Sequence, residues 1–223
     1  MDIVLDAIEV RILGCLIEKE ITTPEYYPLS LNALTNACNQ KSNRRPVLSV
    51  GESAVLKGLD GLRQKGLARE TQTSGSRVTK YLHELLSQFD LSRPETAILC
   101  ELMLRGPQTP GELRSNAERM SPFGNIGEIE ETLRDLMDHD PHLVIRLPRE
   151  AGRKESRYAH LLSPQDIERK AVPEPHVSAE SGGTANEEIA RLEEEIAQIR
   201  RELEELRQDF TLIKSQFCGR SDT

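Results

Sequence analysis

The stretch "KYLHELL" at residues 80–86 returns, one residue shorter, as "RYAHLL" at residues 157–162. Each stretch ends a segment in which three helical patterns precede two short strand-like runs. The alignment pairs the following residues: Lys80 with Arg157, Tyr81 with Tyr158 and His83 with His160. Because a recurring order of elements is the signature of an internal repeat, the sequence predicts two copies of one domain.

The first copy carries a start or stop signal for each of its three helices. Asp6 can cap the first helix, with Glu9 completing a capping box, and Ser30 can cap the second. The third helix is predicted over residues 52–65, with Gly66 as its C-terminal stop. The runs "LARET" and "RVTKYLH" then form a hairpin around the tip "QTSGS".

The second copy repeats these signals. Ser92 and Glu95 make a capping box, and Thr109, Pro110 and Glu112 open the second helix with another capping signal. The third helix, "IGEIEETLRDLMDHD", is predicted to turn four apolar residues inward: Ile126, Ile129, Leu133 and Leu136. The last three align with Val55, Leu59 and Leu62 of the first copy. The turn "PREAGRKE" separates the two strand-like runs of this copy.

Three helices followed by a hairpin is the order of elements in a winged-helix domain. We therefore expect a mainly α fold with small β-hairpins (α+β), in which two tandem winged-helix domains precede a flexible linker and a C-terminal coiled-coil helix. The predicted boundaries are 1–90 for the first domain, 91–163 for the second, 164–185 for the linker and 186–217 for the coiled-coil helix.

The linker is predicted from its Pro, Gly, Ser and charged residues, which show no periodicity. Beyond it, apolar residues alternate at spacings of three and four over four heptads, which is typical of a coiled coil. This pattern predicts self-association, with a homodimer expected, through the following residues: Ile189, Leu192, Ile196, Ile199, Leu203, Leu206, Phe210, Ile213 and Phe217. It leaves the number and orientation of the strands open.

The composition favours a helical core, since the chain has no Trp and only four Phe and four Tyr among 223 residues. No run approaches the roughly 18 to 20 apolar residues of a membrane span, and the N-terminus is acidic, so a cytoplasmic location is expected. The scattered spacing of Cys15, Cys38, Cys100 and Cys218 predicts reduced thiols. We expect no metal, no cofactor and no catalytic residues, because the sequence lacks the motifs that carry them.

The net charge of −8 is unevenly distributed, because residues 164–223 hold 8 Lys and Arg against 14 Asp and Glu. Residues 41–80 instead hold nine cations against three acids, a local charge of +6. A basic segment of this kind is the electrostatic footprint of a nucleic-acid partner.

The segment "ACNQKSNRRPVLSV", residues 37–50, adds amides to this basic charge. In a winged helix, the third helix lies in the major groove of duplex DNA and the hairpin contacts the backbone. The predicted DNA-binding residues are accordingly Asn39, Gln40, Lys41, Asn43, Arg44, Arg45, Ser53, Lys57, Arg63, Gln64, Arg77 and Lys80. The alternative is a structured loop whose amides cap helix ends and whose arginines pair with acids of the second domain.

The third helix of the second copy exposes five acids and one cation, Arg134, so we expect DNA to be repelled there. A solvated surface or a protein-docking face fits that helix better. The leading hypothesis is a non-enzymatic DNA-binding protein, a transcriptional regulator, that docks through the first winged helix. The alternative is a protein-interaction adaptor that uses the tandem winged helices and the coiled coil and does not bind DNA. A continuous stripe formed by the nine cations would favour DNA, whereas pairing of those cations with acids would favour the adaptor.

Three long runs carry a resemblance to a known family: "CLIEKEITTPEYYPLSLNALTNACNQKSNRRPV", "GSRVTKY" and "LRGPQTPGELRSNAERM". They resemble the YceH family of bacterial proteins, and the likeness covers residues 5 to about 163. The resemblance implies two tandem winged-helix domains, a coiled-coil tail and a bacterial cytosolic setting. It implies no activity, ligand or binding residue.

Overall fold

The computed structural model of the chain describes residues 3–72, 78–149, 152 and 155–163. All of them lie in one compact unit. Within these ranges the fold is α+β, with seven α-helices and two small antiparallel sheets. The predicted linker and coiled-coil helix, residues 164–217, lie outside the described residues, as does Cys218.

The first copy is built around three helices and a three-stranded sheet. Its elements in chain order are α1 (Ala7–Thr22), a one-turn 3-10 helix (Pro24–Tyr26), β1 (Leu29–Ser30), α2 (Leu31–Cys38), α3 (Glu52–Gln64), β2 (Ala68–Gln72), β3 (Thr79–His83) and α4 (Leu85–Gln88). The sequence signals did not predict β1, α4 or the 3-10 helix, because elements of two to four residues are too short for a hydrophobic period to recur.

The second copy repeats this order with fewer strands. Its elements are α5 (Arg93–Arg105), α6 (Pro110–Ala117), α7 (Ile126–Asp138), β4 (Val144–Arg146) and β5 (Tyr158–His160). Three predicted capping boxes are present, at Asp6 and Glu9, at Ser92 and Glu95, and at Thr109 and Glu112. Ser30 caps α2 as predicted, because its hydroxyl accepts a hydrogen bond from the backbone N–H of Ala33.

The repeat extends to the register of the hairpins. In the first copy Leu29 pairs with Tyr81 and Ala68 pairs with His83. In the second copy Gln108 forms a bridge with Tyr158, and Val144 pairs with His160. In both copies, therefore, the tyrosine on the second strand of the hairpin pairs with the residue two positions before the second helix of that copy. The two copies share one internal arrangement, as the aligned Tyr and His residues predicted.

Helices α1 and α5 pack together and join the two copies into one hydrophobic core. Gly14 makes this close approach possible, since a Cβ atom there would lie 2.8 Å from the Leu104 side chain. The Cys100 thiol donates to the carbonyl oxygen of Gly14 at 3.3 Å. Cys15, Cys38 and Cys100 are buried free thiols, as predicted.

The third helices show where the periodic patterns predicted burial correctly. Val55, Leu59 and Leu62 on α3 are fully buried, as are Ile129, Leu133 and Leu136 on α7. The inward orientation predicted for Ile126 was wrong, because this residue is 45% exposed. Ile126 is the first residue of α7, directly after the cap Asn125, and lies beyond the part of the helix that the core covers.

None of the helices in the described ranges is both long enough and apolar enough to cross a membrane.

The side of α3 that faces α1 contains Gly58, where a Cβ atom would lie 2.6 Å from Ile12 Cδ1 and 3.2 Å from Ile8 Cγ2. The substitution Gly58→Val should destabilise the protein by about 2 kcal/mol, because added methyl groups overpack this contact. Urea unfolding of the full chain, followed by circular dichroism, measures the effect.

The matched control is Lys57→Val, which places the same side chain one residue earlier on the exposed face of α3. Its cost should stay below about 1 kcal/mol, the scale of helix propensity alone. Equal unfolding midpoints for the two variants would contradict close packing of α1 against α3.

Candidate nucleic-acid interface

Arg44, in the loop between α2 and α3, is buried with only 3% of its surface exposed. Its guanidinium group donates to both carboxylate oxygens of Glu18, at 3.2 and 2.6 Å, and to the carbonyl oxygen of Ala37 at 3.2 Å. Glu18 lies on α1, 26 positions earlier in the chain. The structure therefore removes Arg44 from the predicted DNA-binding surface and makes it an internal tie between α1 and the loop.

The amides of this loop are also engaged internally. Asn39 forms two hydrogen bonds with the backbone of Val50, each 2.8 Å long, and so holds together the two ends of the loop. Asn43 accepts a hydrogen bond from Arg105 of the second copy at 2.7 Å. The Gln40 side chain accepts from Arg44 at 3.1 Å. The loop is structured, as the alternative predicted, but these amides bind loop backbone and arginine side chains rather than helix ends, and Arg44 pairs with an acid of its own copy.

A second buried arginine, Arg11 on α1, also binds this region, and the sequence did not indicate this role. It is 3% exposed, and it donates to the carbonyl oxygens of Cys38 at 3.1 Å and Pro46 at 2.7 Å. Arg11 lies within a helical pattern that otherwise looked like an ordinary amphipathic helix. Its partners are backbone carbonyls at the end of α2 and in the loop that follows, so no spacing in the sequence could have identified it.

The Glu18–Arg44 pair is stable because each partner offsets the cost of burying the other. Burial disfavours the ionised form of Glu18, but the hydrogen bonds and charge of Arg44, assisted by Lys19, lower the pKa of this carboxyl below its ordinary value. Burial likewise opposes the charge of Arg44, but Glu18 raises the pKa of its guanidinium. A buried pair of this kind is costly to break, because the remaining charge has no partner.

Three other cations of residues 41–80 also pair with carboxylates. Lys65 pairs with the buried Glu9, and Arg69 pairs with Glu84. Arg63 contacts Asp60 at 3.2 Å and Glu70 at 2.8 Å. Folding thus brings Glu9, Glu18 and Glu84 to this segment from outside it, which reduces the sequence-local charge of +6 to +3.

The remaining predicted DNA-binding residues are more accessible. Lys41, Arg45, Ser53, Lys57 and Gln64 are exposed, and Lys80 is half-buried on β3. Within the described part of the chain, none of these cations forms an ion pair. Arg77 lies outside the described residues, and so do the predicted oligomerisation residues, which are Ile189, Leu192, Ile196, Ile199, Leu203, Leu206, Phe210, Ile213 and Phe217.

Helix α7 presents a different surface. Its exposed side carries five acids and one cation, listed here: Glu128, Glu130, Glu131, Asp135, Asp138 and Arg134. A groove of about 220 Å³ runs beside this helix, between exposed Ile126 and Glu130 on one side and Arg146, Arg149 and half-buried Tyr158 on the other. Sequence analysis identified the acidic helix but missed the groove, because the groove depends on how the hairpin packs against α7.

The fold and these surfaces define an α+β protein whose two similar copies share a core and differ in the charge of the third helix. The chain matches the family described as "Protein of unknown function, DUF480" over residues 5–153. It is 52% identical over 195 residues to a UPF0502 protein of Geobacter metallireducens, covering 86% of this chain and 89% of that relative.

Two further relatives show the same degree of similarity. A UPF0502 protein of Koribacter versatilis is 55% identical over 193 residues, covering 86% of this chain and 89% of that relative. A UPF0502 protein of Geobacter sulfurreducens is 54% identical over 193 residues, covering 86% of this chain and 83% of the relative. The chain therefore belongs to the DUF480 family of bacterial proteins; the name YceH stays a prediction.

Arg44 and its neighbour Arg45 provide a matched pair for testing the internal tie. The substitution Arg44→Ala should lower the free energy of unfolding by about 3 to 5 kcal/mol, because it leaves the Glu18 carboxylate buried without its partner. Arg45→Ala should change it by less than about 0.5 kcal/mol, since the Arg45 side chain is exposed. Chemical denaturation of both variants measures the difference. Similar unfolding free energies for the two variants would show that the Arg44 ion pair does not stabilise the loop.

Proposed function

We propose that the protein is a tandem winged-helix adaptor without enzymatic activity, which binds a basic segment of a partner protein along α7. Support for the winged-helix assignment comes from the repeated order of helices and hairpin, and from the repeated register of the Tyr and His pairs. Because winged helices serve both DNA and protein partners, the choice between them depends on the surfaces.

The observation that carries the adaptor proposal is the difference in exposed charge between α7 and the basic segment 41–80. On α7 the five acids face solvent with one cation among them. The basic segment 41–80, by contrast, has four of its eight described cations paired with carboxylates. Charge complementarity favours a positively charged partner on α7 and guides its encounter with that surface.

The groove beside α7 adds an apolar anchor to this charged surface. Ile126 is exposed at the start of the helix, and Tyr158 lies at the opposite wall of the groove. A partner segment with an apolar side chain among Lys or Arg residues would place that side chain in the groove. Buried apolar anchors surrounded by polar contacts are the usual source of affinity in such interfaces.

Photo-crosslinking tests this proposal in the source bacterium. A photoreactive amino acid in place of Ile126 should capture a discrete protein, whereas the same substitution at exposed Leu86 on α4 should not. After identification and purification, that partner should bind the double variant Glu131→Lys, Asp135→Lys at least about tenfold more weakly, because like charges then meet.

The matched control reverses two exposed acids of the first copy, with Glu25→Lys and Glu52→Lys. It preserves the change in net charge, so its affinity should stay within about twofold of the unmodified chain. Capture of no discrete protein from position 126, or equal weakening by both double variants, would contradict the adaptor proposal.

A second candidate, duplex DNA binding and with it transcriptional regulation, is favoured by the exposed face of α3. Ser53, Lys57 and Gln64 lie there in the solvent, and no described carboxylate pairs with Lys57. These residue types contact phosphates and base edges in nucleic-acid interfaces. After the ion pairs have formed, few cations remain for phosphates, so this candidate implies a modest dependence on salt.

Fluorescence anisotropy with random-sequence duplex DNA across a salt series tests this second candidate. Lys57→Ala should lower the slope of log affinity against log salt by about 0.9, the contribution of one phosphate contact. Arg134→Ala on α7 is the matched control and should leave the slope unchanged. A lack of binding at low salt would exclude the DNA candidate and leave the adaptor proposal intact.

A further inference from the structure

A cavity of about 320 Å³ lies where the two copies meet, and neither proposed function uses it. Helix α1, the 39–50 loop, helix α5 and the end of α6 all contribute to its wall. The lining residues that matter are Glu18, Asn43, Glu101, Arg105, Ser115 and Asn116, while exposed Glu118 and Arg119 form its rim. This volume is at the lower end of the range for small-molecule sites.

Glu101 is a buried acid in the wall of this cavity. It is only 4% exposed, and its Oε2 atom accepts a hydrogen bond from Arg105 Nε at 2.7 Å. No described residue donates a hydrogen bond to its other carboxylate oxygen. Arg105 is also bound elsewhere, since its Nη2 atom donates to Asn43 at 2.7 Å. Glu101 therefore retains an acceptor oxygen without a donor in a wall of the cavity.

Glu18, in the same cavity, has a hydrogen-bond donor for each carboxylate oxygen, because Arg44 donates to both. Glu101 has a donor for only one of its two carboxylate oxygens. Burial raises the pKa of Glu101 to about 7, and the nearby charge of Glu18 adds to this effect, while Arg105 and Arg44 oppose it. A positive charge placed beside Glu101 would favour its ionised form.

The other polar groups of the wall point to the same kind of ligand. The Thr22 hydroxyl donates to the Glu18 carbonyl oxygen at 2.7 Å, and the Ser115 hydroxyl donates to that of Gly111 at 3.3 Å. The Asn116 amide nitrogen donates to Gln108 at 2.7 Å. The hydroxyl protons of Thr22 and Ser115 are therefore engaged in the protein, so both oxygens offer acceptor lone pairs to the cavity, whereas Asn116 keeps its second N–H. The two hydroxyls add acceptors for an N–H-rich ligand to the free oxygen of Glu101.

We propose that this cavity binds a small organic cation, with an amine or guanidinium group placed against the Glu101 carboxylate. The site goes beyond both proposed functions, because it involves neither α7 nor the exposed face of α3. The charged groups around Glu101 are Arg105 on its own helix, Glu18 on α1, Arg44 in the 39–50 loop, and Glu118 and Arg119 at the rim.

Isothermal titration calorimetry of the full chain tests the site with 1,4-diaminobutane as the cationic probe and 1,4-butanediol as its neutral counterpart. The diamine should bind and the diol should not, because only the diamine carries charge. Binding should be up to about tenfold tighter at pH 8 than at pH 6, since Glu101 is mainly ionised at the higher pH. Equal affinity at the two pH values, or binding of the diol as strong as that of the diamine, would overturn the proposal.

The substitution Glu101→Gln keeps the shape of the side chain and removes its charge. It should weaken diamine binding at pH 8 at least about tenfold and abolish the dependence on pH. Glu118→Gln at the exposed rim is the matched control and should leave the affinity within about twofold. Circular dichroism checks that both variants are folded.

If Glu101→Gln does not fold, the comparison of diamine and diol on the unmodified chain decides the question. No detectable diamine binding up to about 10 mM at pH 8 would overturn the proposal, because specific sites of this size are occupied at lower concentrations. Unchanged affinity of a folded Glu101→Gln variant would also overturn it.

Discussion

The buried ion pair between Glu18 and Arg44 is the interaction on which the rest of this structure depends. It joins α1 to the 39–50 loop, and through the Ala37 carbonyl oxygen it also reaches the last turn of α2. Asn43, one residue before Arg44, then contacts Arg105 on α5. Arg44 thus ties the loop to α1 and α2 of the first copy, and its neighbour Asn43 holds the loop against the second copy. In the low dielectric of the interior such a pair acts strongly, and it also demands complete hydrogen bonding.

The two copies show that the same arrangement of core residues can support exposed surfaces of different charge. Three buried apolar residues of α3 correspond to three buried apolar residues of α7, and the Tyr and His pairs of the hairpins have the same register. The exposed sides of these helices nevertheless differ: α3 carries two acids and two cations (Glu52, Asp60, Lys57 and Arg63), whereas α7 carries five acids and one cation. Burial constrains the inward residues tightly, whereas solvent-exposed positions change charge at little cost in stability.

The distribution of charge also explains why net charge is a poor guide to the partner of this protein. Half of the basic excess of residues 41–80 is neutralised by acids from outside that segment, and two of those acids, Glu9 and Glu18, are buried on α1. The charge that faces solvent therefore differs from the charge counted along the chain. Where the two copies meet, the balance is reversed, because Glu101 is buried with only part of its charge offset. Surface and cavity thus have different electrostatic characters, and a partner of one need not resemble a ligand of the other.

The sequence by itself determined the six longer helices, the two hairpins and the internal repeat. Capping boxes, helix stops and apolar periodicity are local signals, so Asp6, Ser92 and Thr109 marked helix starts correctly, and Val55 and Ile129 identified buried faces. The winged-helix class and the coiled-coil tail stay predictions.

Only the tertiary structure decided which polar residues remain available for function. Arg44 and Arg45 are adjacent and chemically identical, yet one is buried and the other exposed, because Glu18 on a distant helix binds only the first. The groove beside α7 and the cavity around Glu101 likewise arise between elements far apart in the chain. Hydrogen bonds and ion pairs act over a few ångströms in space with no fixed spacing in sequence, so their partners follow from packing rather than from local pattern.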